Sequence, residues 1–212
     1  MRSRTEFGVS VLAATILLAG CGVVVSTGSA GTSTPAAQTS APSTTAGTHT
    51  ATPSGPKTTF ADGTWSVGVQ IAPGTYQTNG GSDCYLERDS DLSEDLGAIL
   101  ANENTSGHMV VTILSSDVGF TTQSCGTWTP LPTTGSKSTT FGDGIWAVGV
   151  NIAPGTYSAP GGADCYWERD SDLTGDASAI LANDNPSGPV TVTIESGDAA
   201  FQTQGCGTWK PQ

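Results

Sequence analysis

Carboxylates set two residues apart are the most chemically suggestive pattern in this chain. Asp83, Glu87, Asp89, Asp91, Glu94 and Asp95 lie within thirteen residues, and Asp164, Glu168, Asp170, Asp172 and Asp176 repeat the spacing further on. Such clusters do two kinds of chemistry. Oxygen ligands at alternate positions open an acidic calcium loop, which here would use Asp89, Asp91 and Asp95, and Asp170, Asp172 and Asp176, with Ser93 and Thr174 between them. An EF-hand would place a bidentate glutamate twelve residues in, where this chain has Leu100 and Leu181. Paired carboxylates also serve glycoside hydrolysis when they stand about 5 to 9.5 Å apart across a substrate. Glu87 and Asp89, on one face of a strand, would be roughly 7 Å apart at Cα. A small β domain offers little wall for a deep cleft, so hydrolysis is the weaker alternative. The preferred reading is a solvated acidic loop partly neutralised by Arg88 and Arg169, and a calcium-dependent module is the alternative to it. No metal or other cofactor is required.

Other catalytic patterns are missing. His49 lies in a polar low-complexity segment, and His108 becomes Pro189 in the second carboxylate region. Nucleophile-elbow, phosphate-loop and dinucleotide fingerprints do not occur. The chain is therefore read as a non-enzyme. Aromatic rings are the stronger pointer to binding, since they offer large contact area at low entropic cost. Trp65 and Trp146 fall in phase with valines and are assigned to the core. Tyr85 and Tyr166 are out of phase with the cysteines before them and, with Trp167, are the candidate ligand contacts.

Five cysteines, Cys21, Cys84, Cys125, Cys165 and Cys206, carry the remaining chemistry. Cys21 ends Leu18-Ala19-Gly20-Cys21, after Arg2, Arg4 and a short apolar run from Phe7 to Ala19. A positive n-region, an apolar h-region and small residues describe an export signal, and the run is shorter than the ~20 residues of a membrane span. This segment resembles the lipobox of bacterial prolipoproteins. The resemblance implies cleavage before Cys21, a diacylglyceryl thioether on its sulfur, and retention on the outer face of the cell membrane. Two acyl chains suffice for stable anchoring where one does not.

The other four cysteines are explained by an internal repeat of period 81. Phe60–Trp128 aligns without a gap on Phe141–Trp209, with about 45 of 69 pairs identical. A period this long, present twice, means two domains. Each holds one cysteine pair, so Cys84 bonds Cys125 and Cys165 bonds Cys206, as expected of an exported chain. The organisation is then signal and lipobox at 1–21, a disordered Ser/Thr/Ala/Pro-rich stalk at 22–58, a first domain at 59–128, a linker at 129–140 and a second domain at 141–212. As a flexible coil the stalk would span roughly 35 Å.

Within a unit, Trp65, Val67, Val69 and Ile71 alternate with polar residues and predict one strand. Pro73-Gly74 predicts a turn, and Cys84 to Arg88 a further strand. Ala98–Ala101 and Met109–Leu114 suggest a hairpin, with a helical turn near Ala98 as the local alternative. Short strands without helical periodicity predict an all-β fold, two small tandem antiparallel β-sandwich or barrel domains.

Without Arg2, Arg4 and Glu6 the chain keeps five basic and eighteen acidic residues. That field disfavours nucleic acid and supplies no polybasic patch for anionic lipid. The blocks Ile71-Ala72-Pro73-Gly74-Thr75-Tyr76, Cys84-Tyr85-Leu86-Glu87-Arg88 and Cys125-Gly126-Thr127-Trp128 resemble those of actinobacterial surface lipoproteins that carry no assigned activity. The expected partners are the membrane, through the lipid, and a cell-wall glycan or surface protein.

Overall fold

The computed structural model describes residues 55–93 and 95–212. The signal segment, Cys21 and the stalk up to residue 54 lie outside them. What is described is all-β, built as two similar halves. The first contains β1 (Gly63–Ser66), β2 (Gly74–Thr78), β3 (Cys84–Asp89), β4 (Ile99–Thr105), β5 (Met109–Ile113), β6 (Gly119–Gln123) and β7 (Thr129–Pro130). The second contains β8 (Gly144–Ala147), β9 (Gly155–Ala159), β10 (Tyr166–Asp170), β11 (Ile180–Asp184), β12 (Val190–Ile194), β13 (Ala200–Gln204) and β14 (Lys210–Pro211).

Each half is a sandwich of a four-stranded and a three-stranded antiparallel sheet. The orders are β1-β6-β3-β4 and β5-β2-β7 in the first half, and β8-β13-β10-β11 and β12-β9-β14 in the second. Between the sheets of the first half lie Phe60, Tyr76, Phe120 and Trp128, in edge-to-face contact at 4.9 to 5.8 Å. Phe141, Tyr157, Phe201 and Trp209 occupy the same places in the second. The polar atoms on the buried Trp128 and Tyr76 rings are paired. Trp128 Nε1 donates to Thr122 Oγ1 at 3.0 Å, and the Tyr76 hydroxyl to the Ala72 carbonyl at 2.7 Å. Each half has one disulfide, Cys84–Cys125 or Cys165–Cys206, joining residues 41 apart. A loop of that length contributes about 4 kcal/mol in the chain-entropy model, a useful supplement for so small a core.

Three sequence expectations are revised. The strand predicted from Trp65 to Ile71 stops at Ser66. Gly68, at φ 77°, turns the chain so that its N–H meets the Ile71 carbonyl at 2.8 Å, which leaves Val69 71 % exposed. The predicted hairpin is absent. β4 pairs with β3 and β5 with β2, so the intervening turn crosses from one sheet to the other. Alternation marks strands but does not say which sheet takes them. The local helical alternative does appear, as 3-10 turns at Leu96–Ala98 and Ala177–Ala179. Finally, Thr129 and Pro130 at the start of the expected linker form β7 on β2.

Candidate functional site: a cavity between the two domains

Side chains alternate along a strand, and β10 uses both faces. Cys165, just before the strand, and Trp167 turn into the core of the second half. Tyr166, Glu168 and Asp170 point the other way and, with Ala200 and Gln202 of β13 and Ile145 of β8, line a cavity of about 400 Å³. The first half supplies the opposite wall, from Leu100 to Glu103 on β4 and Val110 and Val111 on β5. The volume falls in the range of small-molecule sites, about 300 to 1,000 Å³.

Several contacts hold the two halves around this space. Ile145 and Ala200 of the second half are part of the first half's core, and Leu173 packs against it. The Thr112 N–H donates to the Leu173 carbonyl at 2.7 Å. His108 stacks on Trp146 with ring centroids 4.3 Å apart, and its Nδ1 lies 3.0 Å from the Ile145 carbonyl. Burial lowers the pKa of His108, partly offset by that hydrogen bond.

The arginines act only in part as expected. Arg88 makes a bidentate pair with Asp117, at 2.8 and 2.9 Å, and Arg169 pairs likewise with Asp198, at 2.6 and 2.8 Å. These partners lie 29 residues downstream of each arginine, outside the acidic loops. Sequence proximity had favoured the loop carboxylates, and the β3–β6 pairing brings Asp117 nearer. Arg88 alone also reaches across to the other half. Its Nη1 donates to the Thr174 carbonyl at 2.7 Å and lies 3.7 Å from Asp176.

The cavity wall is acidic. Glu103 accepts from Gln202 Nε2 at 3.2 Å, and burial pushes its carboxyl up to about 7. Glu168 accepts from the Tyr166 hydroxyl. Asp170 is 8 % exposed. Burial first, then the charges of Glu168, Glu103, Asp172 and Asp198, push it up to about 8. The Tyr166 phenol is raised to about 12, by burial and then by its bond to Glu168.

The predicted site residues therefore separate. Tyr166 and Asp170 meet in the cavity, and Asp172 and Asp176 stand at its rim. Trp167 does not join them. It stacks on Phe201, 6.3 Å between centroids, because adjacent strand residues cannot share a face. Tyr85, Glu87 and Asp89 form the matching ladder on the outer face of the first half. There Tyr85 donates to Glu87, and burial raises its phenol to about 12. The calcium sets Asp89, Asp91, Asp95 and Asp170, Asp172, Asp176 do not converge. Among the described residues, no three His, Cys, Asp or Glu side chains gather as metal ligands. The loop carboxylates are turned to local bonds instead. Asp91 accepts from the Ser93 N–H, and Asp172 from the N–H and hydroxyl of Thr174.

Glu103 and Gln202 were not singled out from the sequence. A signal existed in the differences between the copies, where apolar Ile145 and Val110 correspond to Thr64 and Thr191.

Comparison with known proteins fits this two-part arrangement. The family model of the Rv1352-like extracellular domain matches twice, over residues 57–129 and 138–210. The chain belongs to that family. Among its relatives are uncharacterised proteins of Mycobacterium tuberculosis and Mycobacterium bovis, each 33 % identical over 82 residues, covering 32 % of this chain and 67 % of theirs. No solved structure matches the chain. The Rv1352-like family is described as extracellular, and among the described residues no helix is long and apolar enough to cross a membrane.

Proposed function

We propose that this tandem Rv1352-like protein is a non-catalytic binding module on the outer face of the cell membrane. Cys21 carries its lipid anchor, and its ligand is a cell-wall carbohydrate or a protein displaying similar groups. The observation that carries the reading is the interdomain cavity. Hydrogen-bonding groups, namely Tyr166, Asn102, Gln202 and the carboxylates, converge there on a partly apolar wall. Precise polar groups on an apolar surface are the usual make-up of a ligand site. Two domains must meet to form the cavity, which gives the duplication a purpose.

Two measurements test the proposal. Cells expressing the full chain and fed an alkyne fatty acid should label it, and Cys21→Ser should abolish the label and release the protein to the medium. Full-length protein in detergent should be retained on purified wall fractions. Ala177→Trp should reduce retention at least tenfold, because Ala177 is an exposed lining residue where bulk blocks the cavity without entering a core. Equal retention of the two proteins would remove the cavity from the function.

A further inference from the structure

A buried carboxylate needs a hydrogen-bond donor or a countercharge. The lining of the interdomain cavity includes Glu103, Glu168, Asp170, Asp172 and Asp176, and none of its residues is lysine, arginine or histidine. Arg88, which approaches the lining carboxylate Asp176 at 3.7 Å, is spent mainly on Asp117 and the Thr174 carbonyl. Asp170 is the most exposed to this deficit. It is more than nine-tenths buried and faces the cavity, and no hydrogen bond from the described residues offsets its desolvation. Beside the carboxylates the wall is hydrocarbon, from Leu86, Val110, Ile145, Leu173 and Ala200.

We propose that the interdomain cavity binds a protonated primary amine carried on a compact, partly apolar body, the ammonium seated against Asp170 and Glu103. An amino sugar and an alkylamine both present this chemistry. The proposal rests on the reading of the cavity as the ligand site and names the ligand's class.

Proton linkage gives it a signature. Asp170 is held up to about 8 and Glu103 to about 7 because burial and neighbouring acids penalise their ionised forms. The charged groups facing them are Glu168 on β10, Asp172 and Asp176 in the following loop, Asp198 before β13, and Arg88 of β3 beyond Asp176. An ammonium favours the ionised carboxylates, so binding lowers both values and releases protons. Affinity for an amine that stays protonated therefore rises as pH goes from 6 to 8.

Full-length protein in detergent is titrated calorimetrically with cyclohexylamine and its neutral counterpart cyclohexanol, and with glucosamine and glucose. In each pair the amine should bind at least tenfold tighter, about 1.4 kcal/mol. Whichever pair binds more tightly tells a sugar body from a hydrocarbon one. At pH 6.5, repeating the cyclohexylamine titration in buffers of different ionisation enthalpy should reveal proton release. Asp170→Asn is isosteric with the neutral acid and so keeps the fold. It should lose most of the proton release and of the amine preference, and Glu103→Gln should do so more weakly. Equal affinity for amine and neutral counterpart, no measurable amine binding, or an unchanged preference in Asp170→Asn would each overturn the proposal. Wall retention without amine preference would sink this inference and leave the binding function standing. Amine preference without wall retention would do the reverse.

Discussion

Asp89–Asp95 and Asp170–Asp176 share five of seven residues and face different surroundings. In the first half Leu92 is 51 % exposed, with its Cδ2 near Gly119. In the second half the equivalent Leu173 packs against the other domain's core, and the carbonyls of Leu173 and Thr174 are tied to Thr112 and Arg88. Small changes accompany this difference. A Cβ on Gly119 would stand 3.1 Å from Leu92 Cδ2, and the second half has Ala200 at that place. A leucine folded back as Leu92 is would be crowded there, and Leu173 instead crosses to the neighbour. Gly175 replaces Glu94 and adopts φ 74°, a backbone shape that favours glycine. Near-identical sequences thus give a solvent loop in one copy and a docking element in the other.

The largest test of this comparison concerns the two arginines. Arg88 is 2 % exposed and bridges the domains, whereas Arg169 is 20 % exposed and serves its own half. Arg88→Ala leaves the buried Asp117 only the Leu114 N–H and also cuts the bond to the Thr174 carbonyl, so a loss of about 3–5 kcal/mol is expected. Arg169→Ala leaves Asp198 the equivalent Glu195 N–H, and because Arg169 is more exposed and makes no cross-domain bond it should cost about 1–3 kcal/mol. Urea denaturation followed by tryptophan fluorescence measures both. Equal losses would mean that the cross-domain bond to Thr174 contributes nothing.

The leucines give a smaller and cleaner contrast, because the residue type is the same. Leu173→Ala removes a partly enclosed side chain and should cost about 1–2 kcal/mol, below the 2–5 of a fully buried leucine. Leu92→Ala, at a half-exposed site, should stay within about 0.5 kcal/mol. Matching shifts in melting temperature would show that the docked loop is no more coupled to the structure than the free one.

How much of this was legible beforehand follows from what each residue reports. The repeat and the paired cysteines gave two disulfide-closed all-β units, since strand alternation and cysteine parity are local and countable. Alternation also placed Tyr85 and Tyr166 opposite the cysteines. The same rule excludes Trp167 from the face of Tyr166. It misread Val67 to Gln70, where Gly68 reverses the chain, because glycine's left-handed freedom has no hydrophobic signature. The Arg88–Asp117 pair depends on strand order, which composition does not encode. The cavity depends on two domains meeting, and only differences between the copies carried that information.

Those differences also bear on how whole chains associate. The interface is heterologous, since a β4–β5 face of the first half meets a β8, β10 and β13 face of the second. Such contacts leave the complementary faces free and propagate into filaments unless something stops them. The free faces carry substitutions that oppose pairing. Ile145 and Val110 of the joined faces correspond to Thr64 and Thr191 on the free ones, and the stacked His108 to Pro189. The native chain should therefore sediment as a monomer. Thr64→Ile with Thr191→Val restores about 1 kcal/mol of apolar burial per site. Together they should tighten chain-to-chain association roughly 30-fold, seen as a sedimentation coefficient that climbs with concentration. Adding Pro189→His, which lets a histidine stack on Trp65 of the next chain, should steepen that climb. If the native chain already forms filaments, these polar substitutions do not terminate pairing, and the asymmetry of the two loops must have another origin.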